Sequence, residues 1–371
     1  MKILQISAHY YPNLGGVETH LLDLVNGLVK RGHDIFVLTY RPLTTNVSWK
    51  VFEHENKKVI LRIPYLPGLF YGLVTSPILE FLYLFPGLFL ALPFVIIYHN
   101  PDVIHSHGLV AGTVSIFWGK VFGKKVVISL HSIYHFPVNG LYRSFVKVVF
   151  KMANKIICLS KQSAKEVEDL GILKEKIKVF TYWIDLDRFK RDNKAKEKLG
   201  WNGKFVILFV GRLIPEKGIL ELLESVRSWS DNIMLVIIGS GPLEDFITSQ
   251  KKLVNNLIFL GEVDNERLPV YYSAADLLIV PSVHEEGFGR VILESLACGT
   301  PVVGSNRGAV PEAMDGTVGK LIDVSPQNIK NSVESFYKNP NKLRLLSSRA
   351  RKFAITRFSE RNIRSIIESY S

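Results

Sequence analysis

The sequence predicts an α/β protein of two doubly wound, Rossmann-like parallel-sheet domains. Three observations carry that prediction. Short apolar strands alternate with helix-patterned segments along nearly the whole chain, the pattern left by parallel strands joined through crossover helices. The alternation runs twice, on either side of a polar, strand-free stretch near 185–203, DLDRFKRDNKAKEKLGWNG. The 371 residues also exceed what one hydrophobic core ordinarily supports.

The elements follow in order. Lys2–Ser7 is a buried strand by its apolar run, and it leads into the loop AHYYPNLGG. Val17–Arg31 then has helical periodicity through Val17, Leu21, Leu24, Val25 and Leu28, and stops at Gly32. DIFVLT, VIHS, KVVISL and KIICLS are further short strands. In the second half, Phe205–Val210, Met234–Gly239, Leu257–Leu260, Leu277–Val280 and Pro301–Gly304 are strands, each followed by a turn and a helical or loop segment. Two such halves suggest a cleft, with ligands beyond the carboxyl ends of the strands.

Composition is that of an ordered globular protein, 47% hydrophobic and free of low-complexity tracts or a fixed-period repeat. Cys158 and Cys298 suggest neither a disulfide framework nor a metal site. MKILQIS runs straight into a strand with no signal-peptide pattern, so the expected compartment is the cytoplasm. Net charge is +12, and residues 1–182 hold 20 Lys and Arg against 11 Asp and Glu. No acid occurs between Val103 and Lys165, against nine basic residues. Such a field suits nucleic acid, an anionic membrane or an acidic substrate.

Three motifs carry chemistry. Gly15-Gly16 sits between a strand and a helix, where backbone amides can meet an anion. It lacks the full G-x-G-x-x-G pattern, and the nearest acid downstream, Asp34, opens the second strand instead of closing it. A nicotinamide dehydrogenase is therefore disfavoured. VGRLIPEKG places Arg212 and Lys217 just past a strand end, a bidentate cation and a point charge suited to a pyrophosphate. HEEGFGRVILESLACGTPVV sets Glu286 and Glu294 around Gly287, Phe288 and Gly289. The glycines are expected to keep the chain open and offer amides to phosphate, while the two carboxylates grip adjacent hydroxyls of a sugar or ribose.

With these motifs in place, the sequence resembles a family 4 glycosyltransferase, of the group 1 glycosyl transferases. The resemblance covers GGVETH, PDVIHSHG, SLHS, VGRLIPEKG, IIGSGP, FLGEV, AADLLIVPS and EGFGRVILESLACGTPVV, nearly the whole chain. It implies the GT-B architecture, with an acceptor-binding domain over 1–182 and a sugar-nucleotide donor domain over 183–355. The C-terminal helix at about 356–371 is expected to pack back on the first domain. It implies a retaining hexosyl-type transfer from a nucleoside-diphosphate sugar, with no cofactor and no metal. No His, Asp or Cys cluster has ligand spacing. By position, Arg212 and Lys217 would hold the pyrophosphate with amides from Gly16, Glu294 the ribose hydroxyls and Glu286 those of the transferred sugar. His131 would hydrogen-bond that sugar near its anomeric centre. Two departures stand out: Thr181-Tyr182-Trp183 precedes Ile184-Asp185 where the family often has Asn-Gly, and Arg290 stands where Leu is frequent, adding positive charge beside the donor.

The first half also suggests a lipid surface. From Ile63 to Pro101 the only charged residue is Glu80. Pro64, Pro67, Pro77, Pro86 and Pro93 are expected to break this stretch into pieces of about one to three turns, too short for a spanning helix. In LYRSFVKVVFKMANK, Arg143, Lys147, Lys151 and Lys155 recur every four residues, with Phe145, Val148, Val149 and Met152 as apolar contacts. Arg143, Lys147 and Lys151 are the candidates to face an anionic membrane.

The expectation is a peripheral enzyme on the inner face of the cell membrane, acting on a lipid-linked or phosphate-bearing acceptor in glycolipid, lipid-linked oligosaccharide or surface polysaccharide synthesis. The alternatives are a soluble transferase making a small glycoside or sugar phosphate, a sugar-nucleotide epimerase, and a basic nucleic-acid-binding protein. The epimerase is not expected to carry this Arg, Lys and paired-glutamate set. A nucleic-acid partner is not expected, because the basic region lacks a recognisable binding signature.

Overall fold

The computed structural model describes the chain except residues 14, 44–46, 66–76 and 251–253. It divides into two compact units, Met1–Tyr182 with Arg361–Ser371, and Trp183–Glu360.

The first unit is built on an eight-stranded sheet. Its strands are β1 (Lys2–Ser7), β2 (Asp34–Tyr40), β3 (Phe52–Glu55), β4 (Lys58–Ile63), β5 (Val103–His107), β6 (Lys125–Leu130), β7 (Lys155–Cys158) and β8 (Ile177–Val179). They lie in the order β3-β4-β2-β1-β5-β6-β7-β8, all parallel except the β3–β4 pair. The helices are α1 (Gly16–Lys30), α2 (Pro77–His99), α3 (Leu109–Val121), α4 (Leu141–Met152) and α5 (Lys161–Asp169). The strand interiors are apolar because both faces of a parallel sheet are covered. Leu4, Ile6, Leu38, Ile104, Val126, Ile128 and Ile156 form one core with the inner faces of α2–α5. β3, β4 and β8 were not anticipated: the edge hairpin FEHENKKVILRI is too polar in its first strand to stand out, and β8 is only three residues long.

The expected break-up of the Ile63–Pro101 stretch is corrected. Pro67 lies outside the described residues, but Pro77–His99 is one helix of 23 residues with Pro86 and Pro93 inside it. A proline inside a helix removes a rung of the backbone ladder and displaces the carbonyl four residues back. Tyr40 from β2 answers the first disturbance. Its hydroxyl donates to the Leu84 carbonyl and accepts from the Leu88 amide, so it spans the turn that contains Pro86. Gly87 leaves room for it, since a Cβ there would lie 2.5 Å from the Tyr40 oxygen. Tyr65 donates to the Tyr83 carbonyl at 2.5 Å. The Phe89 carbonyl, four residues before Pro93, accepts from the Trp118 indole at 2.9 Å. Tertiary donors thus hold together a helix that local sequence argues against.

The second unit carries a six-stranded parallel sheet of β9 (Phe205–Val210), β10 (Ile233–Ile238), β11 (Leu257–Phe259), β12 (Leu277–Val280), β13 (Val302–Ser305) and β14 (Gly319–Ile322). Their order is β11-β10-β9-β12-β13-β14. Helices α6 (Ile219–Val226), α7 (Leu268–Ala274), α8 (Arg290–Ala297), α9 (Pro326–Tyr337) and α10 (Pro340–Arg357) belong to this unit, and α11 (Ile363–Glu368) to the first. Ile207, Leu235, Leu277, Ile279 and Val303 of the strands pack with Leu222, Ile329 and Phe336. Both halves are therefore Rossmann-like, as the double alternation predicts.

Candidate functional site

In the second unit the chain leaves β9 to build β10 and β11 on one side, then crosses to build β12 to β14 on the other. The reversal falls between β9 and β12, and open α/β sheets bind ligands at such a point, beyond the carboxyl ends of the strands. The loops there are the two motifs picked out from sequence, and the fold brings them together.

After β9 the chain passes through Arg212 into a single 3₁₀ turn, Pro215–Lys217, and enters α6 at Gly218. Gly218 has φ of 69°, and a Cβ there would lie 1.8 Å from the Pro281 carbonyl oxygen. Only glycine allows both the left-handed backbone and this approach to the β12 loop. The Glu216 carbonyl then accepts from the Val283 amide at 3.0 Å and bonds the His284 ring at Nδ1, 2.8 Å. This lashing aims Lys217: its Nζ lies 2.5 Å from Glu286 Oε1, which also accepts from the Ser282 hydroxyl at 2.6 Å. Burial works to raise the Glu286 carboxyl. The Lys217 ammonium and the hydrogen bonds outweigh it and hold the group below its ordinary value, so it is ionised. Arg212 is exposed and has no ion-pair partner among the described residues.

Glu294 has a different setting. It is buried in α8, its Oε1 accepting from Arg290 Nε at 3.0 Å and its Oε2 from the Tyr272 hydroxyl of α7 at 2.9 Å. Burial pushes its carboxyl up, against the lowering pull of Arg290 and Tyr272. Arg290, expected to add charge beside the donor, has its side chain buried in the pair with Glu294, which offsets that charge. Phe288 is corrected in part too: its ring is buried edge-on against Phe358, centroids 6.1 Å apart. It anchors the Gly287–Gly289 loop and offers a ligand only backbone. Gly308 was missed from sequence; a Cβ on it would lie 2.6 Å from both the backbone N and O of Glu286.

In the first unit the corresponding reversal lies between β1 and β5. Gly15 precedes α1 as expected, but the Glu18 carboxylate fills the space above it, Oε2 lying 2.2 Å from where a Gly15 Cβ would stand. An anion at this turn would have to displace that carboxylate. His131, expected to hydrogen-bond the donor sugar, lies just after β6. Both ring nitrogens are engaged within this unit: its Nε2 lies 2.9 Å from His107 Nδ1, and its Nδ1 lies 2.9 Å from the Tyr182 hydroxyl. His107 Nε2 reaches Gln5 Oε1 at 2.7 Å, Gln5 Nε2 donates to the Tyr370 hydroxyl, and that hydroxyl reaches His105 Nδ1 at 2.8 Å. Burial lowers His131 to about 4 and His105 to about 3, and holds His107 well below its ordinary value, so all three are neutral at pH 7. The signal for this chain was a glutamine in the apolar strand KILQIS and histidines two apart in VIHSH, polar residues sharing faces of buried strands.

Residues 14–188 match the family model described as Glycosyltransferase Family 4, and residues 191–353 match Glycosyl transferases group 1. The chain belongs to the family 4 glycosyltransferases. An uncharacterized glycosyltransferase of Methanocaldococcus jannaschii, MJ1607, is 29% identical over 88% of this chain and 86% of that protein. A GDP-mannose-dependent alpha-mannosyltransferase of Corynebacterium glutamicum is 26% identical over 87% of this chain and 77% of its own. Among solved structures, a sucrose-phosphate synthase from Thermosynechococcus elongatus superposes with a TM-score of 0.84 at 22% identity, covering 100% of this chain and 98% of that one. The fold of this glycosyltransferase is accordingly GT-B.

The glycosyltransferase also presents a large apolar surface on its first unit. Ile78, Leu82, Leu90, Phe94, Ile97 and Tyr98 are exposed along α2, with Tyr98 at 84%. Ile78–His99 is long and apolar enough to cross a membrane by length and composition. The basic stripe of α4 is corrected. Arg143 donates to the Pro137 carbonyl at 3.1 Å and to the Asp169 carbonyl, and the Lys147 ammonium packs toward Gly171. Of the three membrane-facing candidates only Lys151 is exposed. The outward face of α4 is instead apolar, formed by Leu141, Phe145, Val148 and Met152. Phe145 meets Phe81 of α2 edge-on at 5.9 Å, and Phe81, Phe85, Phe89 and Phe117 continue the contact onto α3. Among the described residues no group of three or more His, Cys, Asp or Glu is placed to hold a metal ion.

Proposed function

We propose that this glycosyltransferase moves a sugar, with retention, from a nucleoside-diphosphate sugar to a lipid-linked or phosphate-bearing acceptor at the inner face of the cell membrane. One observation carries the donor half: the Arg212–Lys217 turn and the Glu286 loop meet at the topological switch point of the second unit, joined by the Lys217–Glu286 ion pair. Negative charge grows on the leaving diphosphate during transfer, and Arg212 and Lys217 stabilise it there. Glu286, kept ionised, accepts hydroxyls of the transferred sugar, and His131 of the first unit is read, from the family resemblance, as meeting a sugar hydroxyl. Each Glu294 oxygen keeps a lone pair beyond the hydrogen bond it already receives, enough to accept from ribose hydroxyls. The amides of Gly287 and Gly289 add donors for phosphate, and in the first unit the turn at Gly15 and Gly16 can receive an anion once Glu18 turns aside. The chemistry is positioning and charge stabilisation, with no metal assigned a role. The mannosyltransferase relative supports the reading, since its name couples a nucleotide-sugar donor to an α-linked product. The continuous apolar face of α2, α3 and α4 supports the lipid acceptor.

Release of nucleoside diphosphate across a panel of sugar nucleotides, with the anomeric configuration of the product read by NMR, tests the proposal. It predicts turnover with a subset of donors, an axial-to-axial or equatorial-to-equatorial outcome, and a loss of about 10²–10³ in rate for Arg212→Ala. An inverted product, or full turnover in that variant, refutes it.

A further inference from the structure

The buried chain that ends at His131 has a direction. A carbonyl oxygen only accepts, so Gln5 Oε1 must receive a proton from His107 Nε2. A neutral imidazole carries one N–H, so His107 Nδ1 is then an acceptor and His131 Nε2 must be the donor to it. His131 Nδ1 is left as an acceptor, and the Tyr182 hydroxyl donates to it. At the other end Gln5 Nε2 donates to Tyr370, whose hydroxyl donates to His105 Nδ1, and His105 Nε2 donates to the Ser129 hydroxyl at 2.7 Å. Turning the Gln5 amide over would reverse every bond in the chain. In this arrangement the polarity of His131 follows from Gln5, the fourth residue of β1, a side chain that does not touch it.

We propose that Gln5 is a positioning residue which, through His107, fixes His131 as the Nε2–H tautomer, so that Nδ1 is an acceptor held by Tyr182 in the free protein and available to a substrate hydroxyl. The proposal rests on the reading that His131 meets the sugar. Tyr182 is well placed for the exchange: its ring lies against His20, centroids 4.3 Å apart, so its position does not depend on the hydroxyl alone. A substrate O–H donates to Nδ1 just as the tyrosine O–H does, and the rest of the chain keeps its direction when one replaces the other. The Tyr182 departure from the frequent Asn-Gly thus supplies a hydroxyl that competes with substrate at this nitrogen.

The test is the tautomeric state of the histidines, read from ¹⁵N shifts and two-bond couplings in protein labelled at histidine without ligand. In the wild type, His107 and His131 should both be Nε2–H; an Nδ1–H tautomer at His131 overturns the proposal outright. Tyr182→Phe, which retains the ring packing, should keep His131 as Nε2–H. If it flips the ring to Nδ1–H, Tyr182 and not Gln5 sets the polarity, and the proposal fails. Gln5→Leu should leave both histidines with mixed tautomers. Turnover then separates this inference from the reading beneath it. Gln5→Leu should lower kcat about tenfold, and the same substitution in a His131→Ala background should cost nothing further, as non-additivity requires of residues acting as one unit. Full turnover of His131→Ala removes His131 from the reaction while the tautomer result still stands or falls by itself. Additive losses place Gln5 outside the His131 relay.

Discussion

At the residue scale, the two glutamates of the 286–294 stretch have the same side chain and opposite settings. Glu286 is ionised by Lys217, whereas Glu294 is buried with Arg290 and its carboxyl is pushed up. Removing one partner of a buried ion pair leaves an uncompensated charge and costs about 3–5 kcal/mol. Glu294→Ala is therefore expected to lower the thermal midpoint by several degrees, while Glu294→Gln, which retains acceptor capacity, should lose much less. Equal midpoints for Ala and wild type would show that the Arg290 pair contributes little to the fold. The residues themselves were legible in part. Arg212, Lys217 and Glu286 stand in glycine-rich loops after strands, where cations and acids have few structural uses. Tyr272, Gln5 and His107 were not, because each acts across a gap in sequence that only the fold closes.

At the scale of elements, most strands and several helices followed from apolar periodicity, though β3, β4, β8 and β14 did not, and Lys2–Ser7, Phe205–Val210 and Leu277–Val280 begin and end where the pattern does. The 77–99 helix was not legible, since the groups that tolerate Pro86 and Pro93 come from Tyr40, Tyr65 and Trp118. The 3₁₀ turn before α6 makes a sharp prediction. Gly218→Ala places a methyl group against the Pro281 carbonyl and a side chain at positive φ, so the turn must move. Lys217 would be carried off Glu286 with it. Donor turnover should fall at least a hundredfold with an intact far-ultraviolet spectrum; wild-type turnover would show that the turn can shift without consequence. The membrane surface is also an element-scale question. With Arg143 and Lys147 engaged by the chain, their replacement with Lys151 by Gln should weaken sedimentation with anionic vesicles only slightly. Phe145, Val148 and Met152 changed together to Ser should weaken it about tenfold or more, since each removes exposed apolar area. The reverse ranking would mean that charge, and not the apolar face, docks the protein.

For the whole molecule, the doubled alternation and the chain length were enough to predict two Rossmann-like halves. The buried histidines give the fold a pH signature. Their folded values lie below the ordinary 6.5, at about 4 for His9 and His131 and about 3 for His105. The unfolded chain thus takes up protons first, and stability is fully present above pH 6.5 and declines as acid is added toward pH 4. Each such histidine contributes a slope of about 1.4 kcal/mol per pH unit in that window. Thermal unfolding should therefore move to markedly lower temperature between pH 7.5 and pH 5, and a flat profile would mean that these rings are protonated or solvated in the fold. Glu286, whose folded value is depressed, keeps its contribution until pH falls below the ordinary carboxylate range.

The donor assignment is tested most directly by calorimetric titration of wild type, Arg212→Ala and Glu286→Gln with the nucleoside diphosphate released in the donor screen. Arg212 is exposed, so its removal should leave the thermal midpoint within the small range of surface substitutions. The affinity of Arg212→Ala should fall at least tenfold, because a charge-assisted contact to phosphate is lost. Glu286→Gln should bind the nucleotide as wild type does and lose transfer, because its partner is the sugar. Undiminished nucleotide binding by Arg212→Ala, or an equal loss in both variants, would contradict the placement of the diphosphate beside the Arg212–Lys217 turn.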